Sequence, residues 1–327
     1  MIITRTPFRV SFAGGGSDLA AYYSQEPGAV LTTAIDKYMY IAVKEHFEQT
    51  FRVSYSRTEI VDSVEQINHP IVRECLQQLG FRSGLEIVSM GDLPARTGLG
   101  SSSSFTVGLL HALYALLHRV VSPERLAREA CRIEIDHLNE PIGKQDQYIA
   151  AYGGLQFIQF HPGGTVFVDP VVISPETRSE LSRRLLMFFT GDTRDAREVL
   201  AKQQAGTEEK LPVLRQMCVI ARELREVLTS GRDLNVFGKL LHEAWQAKRS
   251  LTDSISNFKI DELYERGLSA GALGGKLLGA GGGGFLLFFC EPHNQDRLRA
   301  ELSELRELKF SLDPEGSKIV HVGSNRE

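Results

Sequence analysis

The 327-residue chain holds only four cysteines, Cys75, Cys131, Cys218 and Cys290, widely spaced and without a CxxC pair or a histidine at zinc-ligand spacing. This excludes a zinc module, a thioredoxin-like redox site and a disulfide framework, and leaves reduced, buried thiols as the expectation. Apolar runs approaching the roughly 18 residues of a membrane span are absent, and the N-terminal MIITRTPFRVSFAGGG has neither the charged start nor the apolar stretch of a signal peptide. No membrane partner and a cytoplasmic location are therefore expected. With 37 Lys and Arg against 41 Asp and Glu, a formal net charge of −4 and no basic block, nothing in the chain recruits nucleic acid. The phosphate-loop signature GxxxxGK[ST] is missing too, because around Lys276 the first glycine position is Ala270 and the Ser/Thr position is Leu277. The run Gly279–Gly284 formally satisfies GxGxxG, yet it leads into FLLFF, a strand, whereas a dinucleotide fingerprint opens a helix. Internal repeats and low-complexity linkers are also lacking.

What the chain does have is length for about two domains, 42% apolar residues for packed cores, and one organising stretch, LPARTGLGSSSSFTVGLL at Leu93–Leu110. Gly98, Leu99 and Gly100 precede Ser101–Ser104, and apolar residues at helical spacing follow. This reads as a loop feeding a helix expected over Ser104–His118. Such an end carries unpaired backbone N–H groups and the positive end of the helix dipole, so phosphate is its natural occupant, and serine hydroxyls there can cap the helix or ligate magnesium. The alternative is a flexible Gly/Ser loop before an ordinary buried helix.

Ile2–Ala13 reads as a strand ending in Gly14-Gly15-Gly16, with Ser17 and Asp18 beyond. Further strands are expected at 29–35, 38–44, 51–55, 85–90, 155–160 and 165–168, and short helices at 72–79 and 144–151. Ser122 and Pro123 open a helix running to about Leu138. After a strand at 185–190, helices are expected at 193–204, 212–228, 234–251 and 261–270. Strands at 275–278 and 285–290, a helix at 294–305 and a strand at 318–322 close the chain. The mixed order suggests two α+β layers rather than a βαβ repeat, with domains at 1–182 and 183–327.

Glu134, Asp136, His137 and Glu140 read mostly as a solvated helix face, although one carboxylate there suits a magnesium ion completed by a hydroxyl, ATP and water. Asp146 is either a first-turn residue complementing the helix dipole or a base taking a hydroxyl proton. Arg9, Arg194 and Arg197 are phosphate grips or surface arginines. The five small residues Gly279–Gly283 form a turn letting backbone pack closely against a loop or a ligand.

PFRVSFAGGGSD at 7–18, LPARTGLGSSSS at 93–104 and KLLGAGGGGFLLFF at 276–289 occur in this order and span nearly the whole chain. Together they resemble the three motifs of the superfamily named for galactokinase, homoserine kinase, mevalonate kinase and phosphomevalonate kinase, the GHMP kinases. The resemblance implies an α+β fold of two domains, an N-terminal α/β domain carrying the glycine/serine phosphate loop and a C-terminal ferredoxin-like domain, with the site between them. It implies ATP and Mg2+, with Gly98, Leu99, Gly100, Ser101, Ser102 and Ser103 on the phosphates and Ser102 and Glu134 on the metal. Asp146, twelve residues after Glu134, matches the catalytic aspartate, and Arg9 its paired arginine. Gly15, Gly16, Ser17, Asp18, Gly281 and Gly282 would border the substrate.

Galactokinases carry Glu-His where this chain has Gly15-Gly16, which argues against galactose. The AGGGSD variant, KQDQY and the TRDAR turn are more similar to D-glycero-D-manno-heptose 7-phosphate kinases, which phosphorylate the anomeric hydroxyl to give the 1,7-bisphosphate for GDP-heptose synthesis. Lys144 departs from that group's pattern. Arg194 and Arg197 would then grip the sugar 7-phosphate. The partners implied are a small phosphorylated sugar and ATP, with homo-oligomerisation left open. Fucokinase-like sugar 1-kinases share part of the pattern. A non-catalytic sugar- and ATP-binding regulator is a further reading, as is a decarboxylase of the superfamily, against which the sugar-like first motif argues.

Overall fold

The structure is a computed structural model describing residues 1–82, 84–192 and 196–323. Its first sheet is built on two long strands, β1 (Ile2–Ala13) and β2 (Gly28–Glu45), paired antiparallel. Around them lie β3 (Phe51–Ser54), β4 (Thr58–Val61), β5 (Leu85–Gly91), β6 (Leu155–Phe160) and β7 (Val166–Pro170). The two strands expected at 29–35 and 38–44 are one. Between the pairs Phe8↔Ile35 and Pro7↔Tyr38, Asp36 and Lys37 bulge out without ending the strand. Pro7 has no N–H to give the ladder, so an irregularity there costs little pairing. The bulge also lets β2 change partners, from β6 over Gly28–Thr33 to β5 over Met39–Glu45.

The second sheet is antiparallel, ordered β11–β8–β10–β9, from β8 (Leu185–Phe189), β9 (Ala272–Leu277), β10 (Phe285–Cys290) and β11 (Arg306–Leu308). Helices between β8 and β9 and between β10 and β11 complete the ferredoxin-like arrangement that the motif resemblance implied. A last strand, β12 (Lys318–Val322), returns to pair with β1, so the chain after residue 182 contributes to both sheets. The helix Pro175–Arg184 runs across that position and has no counterpart in the sequence reading.

The inner ends of β1 and β2 are buried on both faces. On one side pack the helices Ser101–Leu116 and Gln145–Tyr152, on the other Leu211–Thr229, which explains why these strands read as continuous apolar runs. Leu109, Leu110 and Leu113 are fully buried, each contributing about 1.5–3 kcal/mol by apolar burial. Phe12 of β1 meets Phe237 of the helix Asn235–Arg249 edge-on at 5.2 Å, and Phe237 meets Phe289 of β10 at 5.7 Å, a chain of rings linking the sheets. Among the described residues no helix is long and apolar enough to cross a membrane.

Candidate active site

Four elements converge on a cavity of about 700 Å³ between the two layers. The first is the glycine/serine loop. Its helix starts at Ser101, three residues earlier than expected, because Gly100 takes a left-handed conformation (φ +75°) and serves as N-cap. No side chain caps this end, so of the two roles open to the serine hydroxyls the cap is not taken, and the first intrahelical bond runs from Ser104 N–H to Gly100 C=O. The N–H groups of Ser101, Ser102 and Ser103 precede that bond, and all three residues line the cavity with Gly98 and Gly100. Leu99 instead buries its side chain at 1% exposure, while its carbonyl accepts from Arg9 N–H at 3.0 Å.

The serine hydroxyls go elsewhere. Ser104 donates to Pro7 C=O at 2.7 Å, whereas Ser102 (3.0 Å), Ser103 (2.8 Å), Thr106 (2.9 Å) and Gln147 (2.6 Å) all donate to the Glu134 carboxylate. Glu134 is 1% exposed, not solvated as its neighbours Asp136 and His137 are. The expected helix to Leu138 is α-helical over Pro123–Cys131 and widens into a π-helical turn at Arg132–His137, a device common at functional sites. Burial raises the Glu134 pKa, opposed by its four hydrogen bonds.

Magnesium prefers oxygen ligands at about 2.0–2.1 Å in an octahedron, whose adjacent oxygens are then roughly 2.9 Å apart. Ser102 Oγ and Glu134 Oε1, a hydroxyl and a carboxylate oxygen 3.0 Å apart, fit that edge. Among the described residues no cluster of three or more acidic, histidine or cysteine side chains could hold a metal alone, which suits an ion completed by substrate phosphates and water.

The second element is GKQDQY, where three successive side chains of the helix Gln145–Tyr152 hold three charged groups. Gln145 donates from Nε2 (3.0 Å) and its backbone N–H (3.3 Å) to Asp18, and Gln147 donates to Glu134. Asp146 receives a bidentate grip from Arg9, Nε to Oδ1 at 2.8 Å and Nη2 to Oδ2 at 2.7 Å. Arg9 spends its remaining nitrogen on Gly98 C=O at 2.6 Å, tying the aspartate to the loop. The Arg9 side chain is 7% exposed and that of Asp146 23%, so one edge of the carboxylate is open to the cavity.

The third element is the turn after β1. Gly15, Gly16 and Asp18 line the cavity, and Asp18, 3% exposed, also accepts from Gly16 N–H at 2.8 Å. Burial raises its pKa, reinforced by the nearby Asp146 charge against the backbone hydrogen bonds. Ser17, expected on the substrate, is absent from the lining and fully buried, its hydroxyl bonded to Gly14 C=O and Ala29 N–H. It locks the turn.

The fourth element is the glycine turn before β10. Gly279 meets Gly98 so closely that a Cβ on it would lie 2.4 Å from Gly98 Cα, and one on Gly98 would lie 2.4 Å from Leu278 C=O. Only backbone against backbone fits there. Gly281 lines the cavity, but Gly282 does not, its N–H donating to Ile255 C=O at 2.9 Å.

Two lysines that the sequence reading missed complete the site. Lys248, 6% exposed, donates to Gly279 C=O, and burial together with the Arg9 charge brings its pKa down to about 7 despite Asp18 and Asp146. Lys276, 4% exposed, donates to Phe12 C=O at 2.9 Å, and burial with two cationic neighbours pushes its pKa well below the usual value. A signal existed for Lys248, since Leu241, Ala244, Trp245 and Lys248 share one helix stripe whose first three residues are buried. The same logic reaches Glu134, in step with buried Ala127, Ala130 and Cys131.

Arg197 lines the cavity and pairs with Glu140, Nε to Oε2 at 2.7 Å and Nη2 to Oε1, whereas Arg194 lies outside the described residues. At the apolar end, His69 stacks on Phe105 at 4.9 Å and meets Tyr55 edge-on at 4.8 Å.

Residues 63–154 match the model of the GHMP kinases N terminal domain and residues 220–307 that of the GHMP kinases C terminal. The chain is 30% identical over 343 residues to D-glycero-alpha-D-manno-heptose 7-phosphate kinase of Campylobacter jejuni, with 98% of this chain and 99% of that protein covered. It is 29% identical to the bifunctional fucokinase/GDP-fucose pyrophosphorylase of Arabidopsis thaliana over 94% of this chain, but spans only 31% of that protein. The fold superposes on a D-glycero-D-manno-heptose 1-phosphate kinase from Bacteriodes thetaiotaomicron with a TM-score of 0.82, 23% identity and 99% and 100% of the two chains covered. Lactococcus lactis galactokinase complexed with galactose gives a TM-score of 0.76 at 18% identity, over 97% and 94%. The chain belongs to the GHMP kinases and is an ATP-dependent kinase.

Proposed function

We propose that this kinase moves the γ-phosphoryl group of ATP to the anomeric hydroxyl of a phosphorylated sugar, D-glycero-D-manno-heptose 7-phosphate, giving the 1,7-bisphosphate. The observation that carries the reading is the Arg9-clamped Asp146 carboxylate, open on one edge to the cavity that the Ser101–Ser103 helix start also lines. The full-length likeness to a heptose 7-phosphate kinase supports the acceptor.

Phosphoryl transfer asks a protein for alignment and for neutralisation of spread charge. Asp146 orients the acceptor hydroxyl and takes its proton as the new oxygen–phosphorus bond forms and the bond from the γ-phosphorus to the β–γ bridging oxygen breaks, releasing ADP. The N–H groups of Ser101–Ser103, the Arg9 guanidinium and the amines of Lys248 and Lys276, which an adjacent triphosphate holds protonated, face the triphosphate. A helix dipole by itself is worth only about 0.3–1 kcal/mol at a surface, so directed N–H groups and cations carry most of the neutralisation. Ser102 and Glu134 would hold Mg2+, which when bound screens the phosphate oxygens. Asp18 accepts from ring hydroxyls, and Arg197 exchanges Glu140 for the sugar's distal phosphate. The Tyr55, His69 and Phe105 end takes the nucleotide base.

The test is ADP release from ATP and Mg2+ with heptose 7-phosphate, unphosphorylated heptose, L-fucose and D-galactose. Heptose 7-phosphate should exceed the others in kcat/KM by about 100-fold or more, the discrimination a site gains when its charged groups are otherwise left unpaired. A higher kcat/KM for fucose refutes the heptose assignment in favour of a fucokinase-like 1-kinase.

A further inference from the structure

β1 presents Arg9 and Ser11 from the same face, since residues two apart on a strand point the same way. Both line the cavity, but they differ in what they hold. Arg9 has each of its three nitrogens engaged by Asp146 or Gly98, whereas Ser11, 7% exposed, has a buried Oγ with no hydrogen-bond partner among the described residues. Next to Asp146 in the chain stands Gln145, also in the cavity lining, whose amide nitrogen is committed to Asp18 Oδ2 at 3.0 Å. That commitment decides the orientation of the amide, because the reverse would set its oxygen against a carboxylate oxygen. Gln145 Oε1 is then turned from Asp18, buried and also without a partner among the described residues, in a side chain that lines the same cavity.

Leaving a buried polar atom unsatisfied is costly, and each such atom calls for an explanation. Two of them belong to residues that line the cavity with the Arg9–Asp146 clamp. One is an obligate acceptor, the other a hydroxyl able to donate or accept, so the complementary ligand carries hydroxyls beside its reacting oxygen. We propose that Gln145 Oε1 and Ser11 Oγ form a hydroxyl-reading subsite next to the acceptor atom, which selects the sugar configuration seated before Asp146. Asp18 acts within it by fixing the Gln145 amide. This rests on the reading above that the acceptor is polyhydroxylated, but not on its being a heptose.

Ser11→Ala and Gln145→Met test the proposal. Kinetics are measured on whichever sugar of the panel above the wild type turns over fastest, so failure of the heptose assignment leaves the comparison intact. Ser11→Ala should raise KM for the sugar about 3–10-fold with KM for ATP unchanged, the loss of one neutral hydrogen bond. Its Tm should stay level or rise, because no protein–protein bond is lost. Gln145→Met should raise the sugar KM about tenfold or more and narrow the preference between the C2 epimers mannose 6-phosphate and glucose 6-phosphate. Since Gln145→Met also strips the side-chain donor from Asp18, leaving from residue 145 only its backbone N–H, and can weaken the fold, Ser11→Ala decides. A lower Tm in Ser11→Ala with unchanged sugar KM, or an equal rise in KM for sugar and ATP, overturns the subsite.

Discussion

Asp146→Asn isolates the proposed base from the architecture that holds it. The carboxylate accepts from Arg9 Nε and Nη2 at 2.8 and 2.7 Å, while Arg9 keeps a separate bond to Gly98 C=O at 2.6 Å. Asparagine fills the same space but offers Arg9 one acceptor and turns an NH2 toward the other donor, so one charge-assisted bond is lost. Such bonds contribute about 1.5–3 kcal/mol when buried, and with the Asp146 side chain 23% exposed the loss falls to about 1–2 kcal/mol, a few degrees in Tm. The catalytic loss should be larger, roughly 10²–10⁴-fold in kcat, or about 2.7–5.4 kcal/mol of barrier. Single-turnover ADP formation measures the chemical step, and calorimetric titration measures ATP affinity, which should stay within about threefold because the Arg9–Gly98 tie survives. A kcat within about threefold of wild type refutes the role of Asp146. A fall in kcat matched by an equal fall in ATP affinity would mean that the variant acts by collapsing the loop.

Lys248→Met should remove a pH dependence. A lysine held near pH 7 in the fold but ordinary when unfolded binds its proton only in the unfolded state between about pH 7 and 10.5. Stability therefore rises with pH across that window, and the penalty is complete below it. Urea midpoints at pH 7 and pH 9 should show wild type gaining on the variant by up to a few kcal/mol at the higher pH, and a constant difference counts against the buried cation. Glu134→Gln should raise the Mg2+ concentration for half-maximal activity about tenfold or more, with Tm changed by only a few degrees, since hydroxyl donors can turn to meet an amide. An unaltered Mg2+ requirement removes Glu134 from the metal. Arg197→Ala should raise KM for the phosphorylated sugar about tenfold or more, well beyond any change for ATP, and equal effects on both would detach Arg197 from the distal phosphate.

Most of the fold's vocabulary is local and was readable. β10 and β12 lie at their expected bounds, Ser122 caps and Pro123 opens the next helix, and the three glycine- and serine-bearing stretches sit around one cavity. Misreadings arose where a local signal competed with a distant one. Asp36 and Lys37 look like a strand break but are held by β-bulge geometry, with Ser311 bonded to Asp36 through backbone and side chain. The Ser101–Ser103 hydroxyls look like caps, yet those of Ser102 and Ser103 turn to a carboxylate more than thirty residues away.

The sequence by itself determined which backbone segments could turn tightly, pack backbone against backbone or run as buried strands, because these depend on glycine, proline, capping residues and apolar period within a few positions. It also placed Arg9 and Asp146 in recognisable company. Only the tertiary structure decided which polar side chains are inside. Glu134 left the solvated face for a nest of hydroxyls, Lys248 and Lys276 became buried cavity-lining amines, and Ser17 and Gly282 turned to the backbone. A polar residue's environment is set by partners far along the chain, and no period within its own segment encodes them.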